Sequence, residues 1–370
     1  MKAFTKLSLA IIFLCSLLIG CGQKEKETPV AKTFEEKIDS LFASVPDFSG
    51  VALIAEKGNT VYHKPFGYLN FETKVSMDTT SLFELASVSK QFTAMVIMML
   101  KEEGKLNYDD LVEKYLPGLP YKNITIRQLL THTSGLPDYQ EIMDKHWDKS
   151  KVAGNADILE YLKKYHPDKQ FEPGEKYEYS NTGYVLLGSI AEKTSGKDFV
   201  EFCRERIFKP VGMSSTDIRS LQEKAAIENF ALGHIYVSEK QRYVRADSFP
   251  ASNYTIWLGN RKGPGRISST ASDLLKWDRA LYTENLIKKT TLEEAFTPMK
   301  LNSDSLSNYG FGWEIETSKL GKVVRHSGDN PGYKTHIIRY IDADKTVILL
   351  CNNAHEKYEE LLNGIEKFVE

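Results

Sequence analysis

Residues 83–104 read FELASVSKQFTAMVIMMLKEEG. Set at 100° per residue, Phe92, Met95, Val96, Met99 and Leu100 fill one side of a helix, while Ala94, Ile97 and Met98 fill the other. A helix apolar nearly all round belongs in the middle of a core. Ser87 stands where such a helix opens, and Gly104 carries the residue type preferred just past a C-terminus. Ser87 and Lys90 are three residues apart and share a face, with Ser87 in the first turn, where free N–H groups favour developing negative charge. A serine hydroxyl is a poor nucleophile until a base takes its proton, and a lysine serves when burial or positive neighbours lower its pKa. A capping serine followed by a snorkelling lysine gives the same quartet, so its meaning depends on the rest of the chain.

On either side of this helix the pattern changes. Phe34, Ile38, Leu41 and Phe42 recur at helical spacing, and Gly50 to Ala55 and Thr60 to Tyr68 are strand-like runs around the turn Lys57-Gly58-Asn59. Near the other end, Lys322 to Ser327, Tyr333 to Ile341 and Thr346 to Asn352 are β-branched or alternating, with residues 342–345 as a tight turn. Between Ser87 and Thr297 helical periodicity dominates, as in Ile158 to Lys164, Val185 to Thr194 and Ala271 to Tyr282. Strands at both ends with helices between them predict an α+β fold: one antiparallel sheet built from N- and C-terminal strands, flanked by a helical region, over residues 33–370.

The first twenty residues read as an export signal. Lys2 and Lys6 precede the apolar run Leu7 to Ile19, which is too short to span a bilayer. Leu18-Ile19-Gly20-Cys21 resembles the lipobox of bacterial lipoproteins. That resemblance implies a lipid on Cys21, a solvated tether over residues 21–32, and a domain held to a membrane of the bacterial cell envelope outside the cytoplasm. Cys203 and Cys351 are too few for a disulfide framework and read as small buried apolar residues. A net charge of −2 gives no basic footprint, so nucleic acid is not an expected partner. The eight histidines show no metal-ligand spacing, and Gly259 to Arg266 lacks the context of a phosphate loop, so no metal or cofactor is expected. His132 reads as a residue that orders a loop. The expected partner is a small-molecule or peptide substrate.

Two further motifs decide the reading of Ser87 and Lys90. Tyr179-Ser180-Asn181 stands between the Pro173-Gly174 turn and a helix beginning near Gly183. His326-Ser327-Gly328 ends a strand ahead of the turn Asn330-Pro331-Gly332. Together with residues 129–136, 171–174, 210–213 and 268–274, this trio resembles the class C serine β-lactamases and their relatives, the D-alanyl-D-alanine carboxypeptidases, D-aminopeptidases and family VIII esterases.

The resemblance implies a β-lactamase/transpeptidase-like fold and a serine hydrolase that works through an acyl-serine intermediate on an ester, a D-amino-acid peptide or an amide. A β-lactamase, or a penicillin-binding receptor without turnover, is the alternative. It implies Ser87 as nucleophile, Lys90 and Tyr179 as proton carriers, and Asn181 as the residue that holds Lys90 and the substrate. The oxyanion would sit between the backbone N–H groups of Ser87 and Asp329, with His326, Ser327 and Gly328 along the substrate. His326 stands where β-lactamases carry lysine, which weakens recognition of a β-lactam carboxylate. With an ordinary pKa near ~6.5, the histidine is expected to gain charge at acid pH and then to favour carboxylate-bearing substrates. Arg325 does not replace that charge, because adjacent strand residues face opposite ways.

Overall fold

The computed structural model describes residues 32–370; the signal segment, Cys21 and the tether as far as residue 31 lie outside the described residues. Six strands make one antiparallel sheet: β1 (Gly50–Glu56), β2 (Asn59–Phe66), β3 (Glu314–Ser318), β4 (Gly321–Asn330), β5 (Tyr333–Tyr340) and β6 (Lys345–Cys351). Their order across the sheet is β3-β4-β5-β6-β1-β2. Strands from the N- and C-terminal parts of the chain meet inside it, where β1 pairs with β6 from Gly50↔Cys351 to Glu56↔Lys345. Both strands are unbroken apolar runs because both of their faces are covered. Val51, Leu53, Ile348 and Leu350 enter the larger core, and Ala52, Ile54, Val347 and Leu349 enter a smaller one.

The smaller core lies under helices α1 (Phe34–Ala43) and α5 (Tyr358–Val369), which set Ile38, Phe42, Leu361, Leu362 and Ile365 against the sheet. The larger core lies on the opposite face and contains α2 (Lys90–Glu102), α3 (Asn181–Ser195) and α4 (Ala271–Ala280). In α2 every residue from Lys90 to Leu100 is buried, as expected of a helix apolar on all sides. A buried ion pair ties this side to the sheet: Arg339 Nε on β5 donates to Asp278 Oδ1 on α4 at 2.5 Å.

Three elements differ from or extend the sequence reading. The α-helix begins at Lys90, not Ser87; residues 86–89 form a 3₁₀ turn ahead of it. Strand β3 and helix α5 had no counterpart in the periodicity reading. Strand β3 pairs only with Gly321 to Arg325, so the margin of β4 from His326 to Asn330 is left without a neighbour on that side. That uncovered margin lies against the 3₁₀ turn carrying Ser87.

Candidate active site

The turn that holds Ser87 is entered through Ala86 at φ +49°, a left-handed conformation that costs an L-residue energy. Neighbours hold it there. Leu85 N–H donates to Ile267 O at 2.8 Å, and Thr335 Oγ1 donates to Leu85 O at 2.8 Å. At Gly328, β4 approaches so closely that a Cβ would stand 2.2 Å from Leu85 O and 3.2 Å from Ala86 Cβ, so only glycine fits. Ser87 is left half-exposed between buried neighbours.

Lys90, fully buried, is one helical turn on. Its Nζ lies 3.0 Å from Ser87 Oγ, 2.9 Å from Asn181 Oδ1 and 2.9 Å from Pro264 O. Burial, aided by the Arg261 cation, depresses its pKa well below the ordinary lysine value, against an upward pull from Asp138. A neutral amine has two N–H donors and one lone pair. Asn181 Oδ1 and Pro264 O can only accept, so they take both donors and leave the lone pair to the Ser87 hydroxyl. Asn181 is oriented in turn: its Nδ2 donates to Asp138 Oδ2 at 3.3 Å, while Asp138 Oδ1 accepts from Gln140 N–H and caps the helix Tyr139–His146.

Tyr179 lies just ahead of α3, its ring centroid 4.8 Å from Lys90 Nζ. Burial of the hydroxyl end holds the phenol pKa well above its ordinary value, opposed by the Ser87 hydroxyl beside it, although 37% of the residue's surface stays open to the cleft. A phenol kept neutral both donates and accepts. His132 sets its position: Nδ1 accepts from Ser180 N–H at 3.1 Å, and the ring lies 4.2 Å from that of Tyr179. Burial, with Lys90 nearby, keeps His132 neutral, as an accepting ring nitrogen requires.

His326 corrects an expectation. It is 1% exposed, its Nδ1 lies 2.5 Å from Ser327 O, and its Nε2 lies 2.7 Å from Tyr309 Oη. A carbonyl only accepts, so Nδ1 carries the proton and Nε2 accepts from the tyrosine. Burial, then Lys90, pushes the histidine down to about 3. It therefore stays neutral through the range in which acid was expected to charge it. Ser327 and Asp329 alternate with His326 and so share the sheet face of Arg325, whose guanidinium pairs with Glu366 of α5. What they offer the cleft is main chain. The two-residue turn Pro331-Gly332 makes Asn330/Tyr333 the hydrogen-bonded closing pair, so the next pair, Asp329/Lys334, turns the Asp329 N–H toward the uncovered margin.

The structure thus brings Ser87, Lys90, Tyr179, Asn181, His326 and Gly328 together, with Ser327 and Asp329 alongside through their backbones. Four partners were missed. Tyr309 belongs to the run Tyr309-Gly310-Phe311-Gly312-Trp313, whose alternation of small and aromatic residues was a usable signal of tight packing. Asp138, Arg261 and Pro264 carried none, because each acts through the fold. The Gly259 to Arg266 stretch does more than shape a loop, since its Pro264 carbonyl completes the Lys90 environment.

The sequence matches the Beta-lactamase family over residues 38–367. Penicillin-binding protein 4* of Bacillus subtilis (strain 168) is 44% identical over 318 residues, which cover 85% of this chain and 70% of that protein. A D-aminopeptidase of Gluconobacter oxydans (strain 621H) is 24% identical over 323 residues, covering 86% of this chain and 58% of that protein. Among solved structures, the penicillin binding protein from Bacillus halodurans is similar at a TM-score of 0.75 and 26% identity, covering 89% of this chain and 98% of that one.

Proposed function

The chain belongs to the Beta-lactamase family and is a serine hydrolase, and from that premise we propose that it cleaves short esters and D-amino-acid peptides or amides through an acyl-enzyme on Ser87. The observation that carries this reading is the hydrogen-bond set at Lys90 Nζ, which leaves a lone pair for one hydroxyl, that of Ser87. As Ser87 Oγ bonds to the substrate carbonyl carbon, its proton passes to Lys90. The oxyanion that forms is met by the N–H groups of Ser87 and Asp329. Collapse breaks the bond to the leaving group, which takes the proton from Lys90 through the Tyr179 hydroxyl. Water then enters; its proton returns by the same route as its oxygen attacks the acyl carbon, and cleavage of the ester bond frees the acid and restores Ser87.

Two observations favour esters and D-amino-acid compounds over β-lactams. His326 is buried and neutral, so it supplies no fixed cation for a β-lactam carboxylate. The relatives also include a D-aminopeptidase. A receptor without turnover has no need of a relay from Lys90 to Tyr179. A panel of p-nitrophenyl esters, D-Ala-D-Ala peptides and a chromogenic cephalosporin on one preparation tests the reading. Esters or D-peptides are expected to show the higher kcat/KM; a cephalosporin in first place would overturn the reading in favour of the β-lactamase alternative. The lipobox-like Gly20-Cys21 junction supports a further part of the proposal, a lipid-anchored domain on the outside of the cytoplasmic compartment.

A further inference from the structure

A groove of about 710 Å³ lies between two hairpins, and none of the catalytic-site residues lines it. One hairpin joins Tyr68–Asn70 to Val75–Ser76, and the other joins His234–Val237 to Arg242–Arg245. Asn352, fully buried just past the end of β6, ties the two together. Its Nδ2 donates to Tyr68 O at 3.0 Å, Leu69 O at 3.2 Å and Leu232 O at 2.9 Å, while its carbonyl accepts from His234 N–H at 2.8 Å. The walls are therefore set before any ligand arrives, which lowers the ordering cost of binding.

The floor of the groove is a chain of aromatic rings. Centroids are 5.8 Å apart from Tyr68 to Phe71, 4.4 Å from Phe71 to Tyr243 and 5.3 Å from Tyr243 to Tyr236. Tyr236 is 49% exposed, and its hydroxyl donates to Gln241 Oε1 at 3.2 Å, which braces the ring. Around this floor stand Asp47, Glu72, Lys74 and Arg242, all exposed. Two acids and two bases cancel, yet none of the four makes an ion pair within 4 Å among the described residues. The rim thus offers free donors and free acceptors with no net charge.

That combination selects the ligand. An anion would meet Asp47 and Glu72, and a cation would meet Lys74 and Arg242. Lys74 Nζ already lies 4.6 Å from the centroid of Tyr68 and 5.4 Å from that of Phe71, so the place of a cation on those faces is filled from within. A dry apolar partner would strip water from four charges and pair none of them. A neutral, hydroxyl-rich ring meets none of these costs. Its hydroxyls both donate and accept, so they suit both signs of rim charge, and its C–H face suits the electron-rich face of an aromatic ring. We propose that this groove binds a glycan, as a short run of neutral pyranose units laid along Tyr236 and Tyr243. Because no catalytic residue lines the groove, the site holds the enzyme to a saccharide polymer and does not present a bond for cleavage. The assignment stands apart from the acyl-serine reading.

The test titrates the full-length protein with the tetramers of β-1,4-linked glucose, β-1,4-linked N-acetylglucosamine and α-1,4-linked glucose, read by saturation-transfer NMR. Phosphatidylglycerol vesicles, read by co-sedimentation, form the anionic arm. At least one tetramer is expected to bind with a Kd below about 1 mM. Tyr236→Ala removes the exposed ring and should weaken that binding about tenfold, whereas Tyr236→Phe keeps the ring and should stay within about threefold. Circular dichroism shows whether each variant folds. Arg242→Gln, at an exposed position, should also weaken binding and decides the matter if Tyr236→Ala does not fold. Binding to none of the tetramers, or to the vesicles alone, would overturn the inference. Tetramer binding that is as tight in Tyr236→Ala and Arg242→Gln as in the unaltered protein would place the saccharide elsewhere and overturn it too.

Discussion

At Lys90, three atoms compete for one nitrogen, and the outcome sets the chemistry. Two of them accept only, so a neutral lysine has its lone pair on Ser87. Lys90→Met keeps the length of the side chain without a base, and should fold yet react with a fluorophosphonate about 10² to 10⁴ times more slowly. Ser87→Ala should give no adduct at all, as seen by intact mass. An unaltered labelling rate in Lys90→Met, or an adduct on another serine, would refute these roles. The pH dependence of specificity also follows from one residue. With His326 held at about 3, the ratio of cephalosporin to ester turnover should be flat between about pH 5.5 and 8.5, and a rise toward acid would show a histidine that titrates. Ser87 and Lys90 were legible from their three-residue spacing, which the 3₁₀ turn running into α2 preserves, and Asn181 from the resemblance carried by its motif. The protonation of His326 was not, since Tyr309 and the burial that fix it arrive from elsewhere in the chain.

Among the elements, the margin of β4 matters most. Gly328 is pressed against the turn of Ser87, and a methyl group there meets Leu85 O at 2.2 Å and Thr335 Oγ1 at 2.3 Å. Gly328→Ala must therefore push strand and turn apart. The expected cost is about 1 to 3 kcal/mol in urea unfolding, with a loss of kcat well beyond what that destabilisation explains. If kcat is unchanged in the folded variant, the contact does not set the geometry of Ser87. The hairpins β1–β2 and β5–β6 could be read in advance, because Lys57-Gly58-Asn59 and residues 342–345 are strong turn signals between β-branched runs. The 3₁₀ turn could not. Nothing in Leu85-Ala86-Ser87 demands a left-handed alanine; that conformation is imposed by Ile267, Thr335 and Gly328 around it. Helix α5 buries Tyr358, Leu361, Leu362, Ile365 and Val369 on one face, a periodicity that is present in the sequence itself.

For the molecule as a whole, stability rests partly on groups that must stay neutral or paired. His132 and His326 are each 1% exposed, and both folded pKa values lie below the unfolded value near 6.5. The unfolded chain therefore binds protons first. Their contribution is fully present above about pH 6.5 and shrinks as pH falls toward the folded values, by about 1.4 kcal/mol per pH unit for each histidine. Urea midpoints that do not fall between about pH 7 and 5 would contradict this. Asp278→Ala strands the buried Arg339 charge between α4 and β5 and should cost about 3 to 5 kcal/mol, read as a lower urea midpoint. Cys21→Ser should abolish lipid labelling and move the protein out of the membrane fraction, whereas continued palmitate incorporation would exclude that anchor. The pairing of N- and C-terminal strands, β1 with β6, was foreshadowed only as strands clustered at both ends, because strand order depends on packing that no local pattern records. Helices α1 and α5 cover the sheet face opposite the cleft. Both are therefore handles on the back of the enzyme: a bead or fused reporter attached through either should leave the mouth facing the medium.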